Sequence, residues 1–115
     1  MNEKQIIGMF GALSQETRLR IMRFLVSRGD DGASAGAIGE EVDATSSRAS
    51  FHLSALENAG LVSSERKSRH VIYRADFANL GNLVSFLLND CCDNHPDVRA
   101  CCLGESCSSP GGGCA

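Results

Sequence analysis

The stretch that decides the fold runs from Thr45 to Arg74: TSSRASFHLSALENAGLVSSERKSRHVIYR. Its hydrophobic period changes halfway. In the first half Ala49, Leu53 and Leu56 recur at i, i+4 and i+7, one stripe of an amphipathic helix over residues 46–59. Thr45 stands where an N-cap belongs, and Gly60 where a helix closes. Ser47, Arg48, Ser50, Phe51 and His52 fall on or beside the opposite face. After Gly60 the pattern becomes β-capable. Leu61-Val62-Ser63-Ser64-Glu65 and His70-Val71-Ile72-Tyr73-Arg74 read as two strands joined through Arg66-Lys67-Ser68-Arg69, a hairpin with a basic tip.

Upstream, Ser34 to Val42 carries Ile38 and Val42 at i and i+4 and reads as a short helix. Asp43-Ala44-Thr45 is a tight connection to the next one. Two short helices joined by a tight turn, followed by a hairpin, make a winged helix-turn-helix. The fold class expected is therefore mainly α with a small β-hairpin. Ile6, Ile7, Phe10 and Leu13 mark a helix over residues 3–12. Ser14 is expected to cap a second helix over residues 15–28, with Leu19, Met22, Leu25 and Val26 as its apolar face, Ile21 alongside and Arg18, Arg20 and Arg23 pointing elsewhere. Gly29-Asp30-Asp31-Gly32 is a turn. Leu80, Leu83, Val84, Leu87 and Leu88 give a wide apolar face to a last helix over residues 77–90. Beyond Cys92 the composition shifts to Gly, Ser, Pro and Cys, the mark of a flexible end. The division expected is a domain over residues 1–90 and a cysteine-rich tail over residues 91–115.

The chain has 115 residues, one small domain's worth, with 43% hydrophobic and 22% charged residues. No apolar run approaches the roughly 18 residues of a membrane span, and no export signal is visible, so a cytoplasmic protein without a membrane partner is expected. The net charge of −3 argues against nucleic acid. Its distribution argues the other way: Arg48, Arg66, Lys67, Arg69 and Arg74 outnumber Glu57 and Glu65 in the middle of the chain, while the tail is acidic. A local basic stripe binds DNA on a protein that is acidic overall.

A helix fits the major groove of B-DNA, and compact polar residues at its start approach bases and phosphates. Thr45, Ser46, Ser47 and Ser50 supply such donors, and Arg48 is the one full positive charge of that helix. Arg48 is the first choice for a guanine edge or a phosphate. Arg66, Lys67 and Arg69 would grip the backbone, setting register and affinity rather than sequence. His52 belongs to the same candidate set, with a hydrogen-bonded core histidine as its second reading. Serines at a helix start also serve as plain caps, and Phe51 is expected against the wing rather than at the bases.

Three motifs now carry a resemblance. Residues 12–21, ALSQETRLRI, resemble the opening ALADPTRLRIL of the ArsR/SmtB metalloregulators. Residues 47–62, SRASFHLSALENAGLV, resemble that family's recognition helix, STVSRHLKVLREAGLV, with Phe51 and Ser54 in place of residues that are often basic. Residues 69–74, RHVIYR, resemble the end of its wing. The resemblance spans about residues 6–90. It implies a homodimer formed through the first and last helices, bound to double-stranded operator DNA and released by a thiophilic or divalent metal.

The six cysteines are Cys91, Cys92, Cys101, Cys102, Cys107 and Cys114, all in the last 25 residues. No disulfide can therefore staple the first 90 residues. There is no C-x-x-C, which disfavours thioredoxin chemistry and a zinc ribbon. Adjacent thiols near a helix end, with a third across a loop, suit an ion seeking three soft ligands in a pyramid, such as As(III) or Sb(III). The resemblance points the same way. The family's cadmium/lead-type and zinc-type sites lack ligands here, at residues 35–39 and at Asn79, Asn82, Ser85 and Asn89. A subset of the family places adjacent cysteines just after the last helix, which Cys91 and Cys92 match. Cys101 is the first choice for third ligand and Cys102 the alternate.

His95 in the loop is either a borderline-metal ligand or merely solvated. Cys107 and Cys114 are expected to be accessory thiols. The function expected is a repressor of an arsenic-resistance operon, induced by As(III), Sb(III) or methylarsenite, with no organic cofactor and no catalysis. The alternative is a winged-helix repressor responding to thiol oxidation or to another soft metal (Cd, Pb or Zn). A thiol enzyme and a metal buffer are the remaining readings.

Overall fold

A computed structural model describes residues 2–102 of the chain. Two compact units are distinguished, one ending at Leu80 and one beginning at Gly81.

The first unit opens with α1 (Glu3–Leu13). A reciprocal cap starts it: the Asn2 side chain accepts from the Gln5 N–H and the Gln5 side chain accepts from the Asn2 N–H, each at 2.8 Å. Ser14 does not cap the second helix as expected. It closes α1, sending its N–H to the Phe10 carbonyl at 3.0 Å and its hydroxyl to the Gly11 carbonyl at 2.9 Å. The cap of α2 (Glu16–Arg28) is Gln15, whose amide oxygen accepts from the Arg18 N–H at 2.8 Å. A serine hydroxyl can donate as well as accept, so between two abutting helices it serves whichever end leaves an orphan group nearest.

Helix α2 buries Ile21, Met22 and Leu25, while Leu19 and Val26 remain exposed, contrary to expectation. Apolar residues surround much of this helix, and only its packing against α1, α3, α4 and β3 selects the buried side. A 3-10 turn (Gly29–Asp31) leads to β1 (Ala33–Ser34) and α3 (Ala35–Val42), which the Ser34 hydroxyl caps through the Ala37 N–H at 3.2 Å. Helix α4 (Ser46–Asn58) follows, capped by Thr45, with Ala59 at its end and Gly60 just beyond at φ +86°.

Strands β2 (Val62–Lys67) and β3 (His70–Ala75) form the hairpin. Its turn is shorter than expected. Arg66 and Lys67 pair with Val71 and His70, which leaves only Ser68 and Arg69 at the tip, Ser68 at φ +59°. The antiparallel sheet has three strands in the order β1-β3-β2, with Ala33 opposite Tyr73 and Ser34 opposite Ile72. At two residues, β1 is too short to show an alternation in sequence. Gly32 makes it possible: at φ +63° a side chain there would collide with the Tyr73 carbonyl oxygen.

Helix α5 (Phe77–Phe86) begins under tight control. The Asp76 N–H donates to the Leu61 carbonyl at 2.9 Å and its carboxylate accepts from the Asn79 N–H at 3.0 Å. The Asn79 side chain in turn donates to the Gly60 carbonyl at 2.8 Å. The end of α4 and the start of α5 are thus tied by hydrogen bonds.

In the second unit the helix does not run straight to residue 90. After Phe86 it widens into a π-turn (Leu87–Cys91), closed by the Cys92 N–H on the Leu87 carbonyl at 3.0 Å. Asp93 and Asn94 both take positive φ, 50° and 53°, and reverse the chain. A further helix, α6 (Pro96–Cys102), then forms where a flexible stretch was expected. Pro96 supplies a preset first helical position, and the His95 ring nitrogen Nδ1 accepts from the Asp97 N–H at 3.2 Å. His95 is thus more than a solvated loop residue. Cys107 and Cys114 lie outside the described residues.

Candidate nucleic-acid interface

Helices α3 and α4 meet through Asp43-Ala44-Thr45. Asp43 takes the left-handed conformation at φ 56°, which a short polar side chain tolerates. The chain then folds back, and the Ala44 N–H reaches the Gly39 carbonyl at 2.8 Å. A side chain on Gly39 would sit 2.8 Å from the Ala44 carbonyl oxygen, so the turn needs glycine in the helix before it. Thr45 accepts from the Arg48 N–H at 3.2 Å and starts α4 as the sequence indicated.

Burial sets the rotation of α4. Ala49, Leu53 and Leu56 are fully buried, as expected, against the rest of the first unit. The opposite face is thereby committed to solvent. Thr45, Ser46, Ser47, Arg48 and Ser50 are all exposed along it. Arg66, Lys67 and Arg69 are exposed on the wing, with His70 beside them. Eight of the nine expected DNA contacts are therefore open to a ligand. Arg74, counted in the basic stripe, is not. Its Nε donates to the Asp30 carbonyl at 2.6 Å and its Nη1 pairs with Glu65 at 2.9 Å, so it fastens the wing to the 3-10 turn.

The ninth residue, His52, is half-buried and already engaged. Arg18 of α2 donates from Nε to His52 Nδ1 at 3.2 Å. Burial lowers the His52 pKa from its usual 6.5, and the positive charges of Arg18 and Arg48 lower it further. A neutral imidazole is the form whose Nδ1 can accept the hydrogen bond from the Arg18 N–H. This is the hydrogen-bonded second reading of His52, and it makes the histidine a brace between α2 and α4.

Phe51 is not packed against the wing as expected. It is 66% exposed. The Arg18 guanidinium carbon lies 5.9 Å from its ring centroid, and the His52 ring meets it nearly edge-on at 5.6 Å. The helical wheel already put Phe51 opposite the apolar stripe. No local pattern links Arg18 to this site, because the two segments are 34 residues apart.

Among the cysteines, Cys91 ends the π-turn and Cys92 follows it, both free thiols. Partial burial, then the Cys91 side chain, pushes the Cys92 thiol above its usual value. Cys102 is also a free thiol, whereas Cys101 is disulfide-bonded. Among the described residues no three His, Cys, Asp or Glu side chains converge. By donor chemistry the thiols suit a soft trivalent ion. Among the described residues no third donor is gathered next to the pair.

A helix-turn-helix domain family matches residues 13–65. The chain is 31% identical over 93 residues to the uncharacterized HTH-type transcriptional regulator YbzH of Bacillus subtilis, covering 70% of this chain and 93% of that protein. An ArsR-like transcriptional regulator from Rhodococcus sp. RHA1 superposes with a TM-score of 0.69 at 29% identity, over 90% of this chain and 95% of the other. The homodimeric winged helix-turn-helix DNA-binding domain of Mb0332 from Mycobacterium bovis, a possible ArsR-family regulator, gives 0.60 at 28% identity over 80% and 85%. No helix among the described residues is long and apolar enough to cross a membrane.

Proposed function

The chain belongs to the ArsR/SmtB-type winged helix-turn-helix transcriptional regulators, and on that premise we propose that it is an arsenic-responsive repressor. It binds double-stranded operator DNA as a homodimer in the cytoplasm and leaves it when As(III) or Sb(III) is captured by cysteine thiolates. The observation that carries the inducer is the adjacent pair Cys91 and Cys92, free thiols where the last long helix ends. Arsenite takes three thiolates, exchanging its three hydroxyls for sulfur with loss of three waters. Cys91 and Cys92 supply two, and Cys102, or Cys101 once reduced, supplies the third.

Exposed apolar side chains support the dimer. Ile7 and Phe10 on α1 and Phe77 and Val84 on α5 are each at least 40% exposed, more apolar surface than the ends of a lone small domain should leave wet. The two reading helices of such a dimer enter successive major grooves about 34–36 Å apart. A coupling of about 1–3 kcal/mol between thiol site and operator would give 5–150-fold release.

The test is an operator mobility shift titrated with arsenite under reducing conditions. Wild type should leave the DNA, and the Cys91→Ser/Cys92→Ser variant should stay bound at the same arsenite concentration. Release of that variant at wild-type levels would sink the site. One observation favours a second reading, a thiol-oxidation switch: Cys101 is disulfide-bonded. In that case peroxide alone releases the operator, dithiothreitol restores binding, and arsenite has no effect on the reduced protein.

A further inference from the structure

We propose that Phe51 reads sequence, its ring contacting the 5-methyl group of a thymine in the major groove of the operator. The inference rests on the DNA-binding reading above and deepens it.

Folding does not account for this side chain. Phe51 is 66% exposed, the most open of the large apolar residues among those described, and it lies on the face of α4 that faces away from the core. On the helix surface its neighbours at i−4, i−3 and i+3 are Ser47, Arg48 and Ser54, all exposed. A large ring between Ser47 and Ser54 stands proud of both serines. It therefore reaches a surface docked on the helix before those serines do, alongside the longer Arg48.

The ring is also held. Arg18 lies 5.9 Å from the ring centroid, and His52 packs on it at 5.6 Å and 69°. Arg18 is itself tied to His52 at 3.2 Å. A side chain already backed on one side loses less rotamer freedom on binding, so more of its contact energy appears as affinity.

The chemistry of the groove then selects the target. Guanine offers N7 and O6, adenine N7 and N6, cytosine N4; each is polar. Thymine alone adds an apolar group, the C5 methyl. An exposed phenyl ring gains nothing from the polar edges and desolvates them at a cost. Contact with the methyl buries apolar surface on both sides. Arg48, one turn back, remains available for a guanine or a phosphate, so the helix would read an apolar and a polar feature side by side.

The experiment uses the full chain and duplexes selected by it from a random double-stranded pool. Each thymine of the selected site is replaced singly by deoxyuridine, which removes only the methyl, and affinity is measured by fluorescence anisotropy. One position per half-site should weaken wild-type binding about fourfold, since a buried methyl is worth ~0.8 kcal/mol and 1.4 kcal/mol is tenfold. Phe51→Ala should bind the thymine and deoxyuridine duplexes alike, and Phe51→Leu should retain part of the difference. Because the side chain is exposed, circular dichroism should show both variants folded.

A selected operator with no methyl-sensitive position, or one whose methyl sensitivity survives Phe51→Ala, overturns the inference and leaves the repressor reading standing. So does a Phe51→Ala variant with wild-type affinity throughout, as expected of a ring that docks a protein instead. Selection of no DNA sequence at all overturns both.

Discussion

Arg18 and His52 show how one hydrogen bond can brace the exposed face of α4 against α2. The bond needs an unprotonated Nδ1, since a protonated imidazole would turn a second donor and a second charge toward the guanidinium. The sign of the resulting pH dependence follows from the lowered pKa. Between that value and 6.5 the unfolded chain binds the proton and the folded chain does not, so stability rises with pH across this interval. The contribution is complete above about pH 6.5 and is lost as the pH falls towards the lowered value. Thermal melts from pH 8 to pH 5 should show the wild type losing more stability than His52→Gln. Glutamine keeps an oxygen acceptor without a titrating ring. Identical pH profiles for the two proteins would mean that the histidine is not held neutral in the folded state.

At the scale of elements, α3 and its turn give the sharpest contrast between two glycines of one helix. Gly36 has open space: an added methyl would meet only the Ser34 hydroxyl, at 3.9 Å. Gly36→Ala should stabilise by about 0.5–1 kcal/mol through helix propensity alone. Gly39 has none, because the Ala44 carbonyl lies 2.8 Å from the same position. Gly39→Ala gains the same propensity but must push the turn away, for a net loss of about 1–3 kcal/mol and weaker DNA binding as α4 shifts. Urea unfolding of the pair measures both, and a stabilised Gly39→Ala variant would refute the close packing of the turn. The sequence showed a tight connection here without showing what it packs against.

The same limit separates what was legible from what was not. Elements with a clear period and a cap, such as α4 with Thr45, Ala49, Leu53 and Leu56, were readable because one stripe leaves one orientation. Two-residue β1, the π-turn before Cys92 and the Ser14–Gln15 exchange of capping roles were not. Each depends on hydrogen bonds to partners that no local pattern names. The candidate contacts on α4 and the wing followed from patterning, whereas Arg18 could emerge only once α2 and α4 were packed together.

For the molecule as a whole, the question is how a chain of net charge −3 holds a polyanion. Long-range attraction cannot supply the affinity, so local phosphate contacts must. Arg66, Lys67 and Arg69 are exposed within four residues of each other on a wing whose base Arg74 anchors through Asp30 and Glu65. Phosphate contacts release counterions, and each one steepens the dependence of log affinity on log salt by about 0.9. In the proposed dimer every wing residue counts twice. Lys67→Ala should therefore flatten the slope by about 1.8 if Lys67 meets one phosphate per half-site, and Arg69→Ala should do likewise. Neither should change which base pairs are preferred, because phosphates carry no sequence. Arg74→Ala should behave differently. It loosens the wing by removing bonds to Asp30 and Glu65, so affinity falls while the number of phosphate contacts made by an intact complex stays the same. Anisotropy titrations between 50 and 300 mM salt separate the two effects. A slope unchanged by Lys67→Ala and Arg69→Ala together would remove the wing from the DNA interface and leave α4 to carry the operator alone.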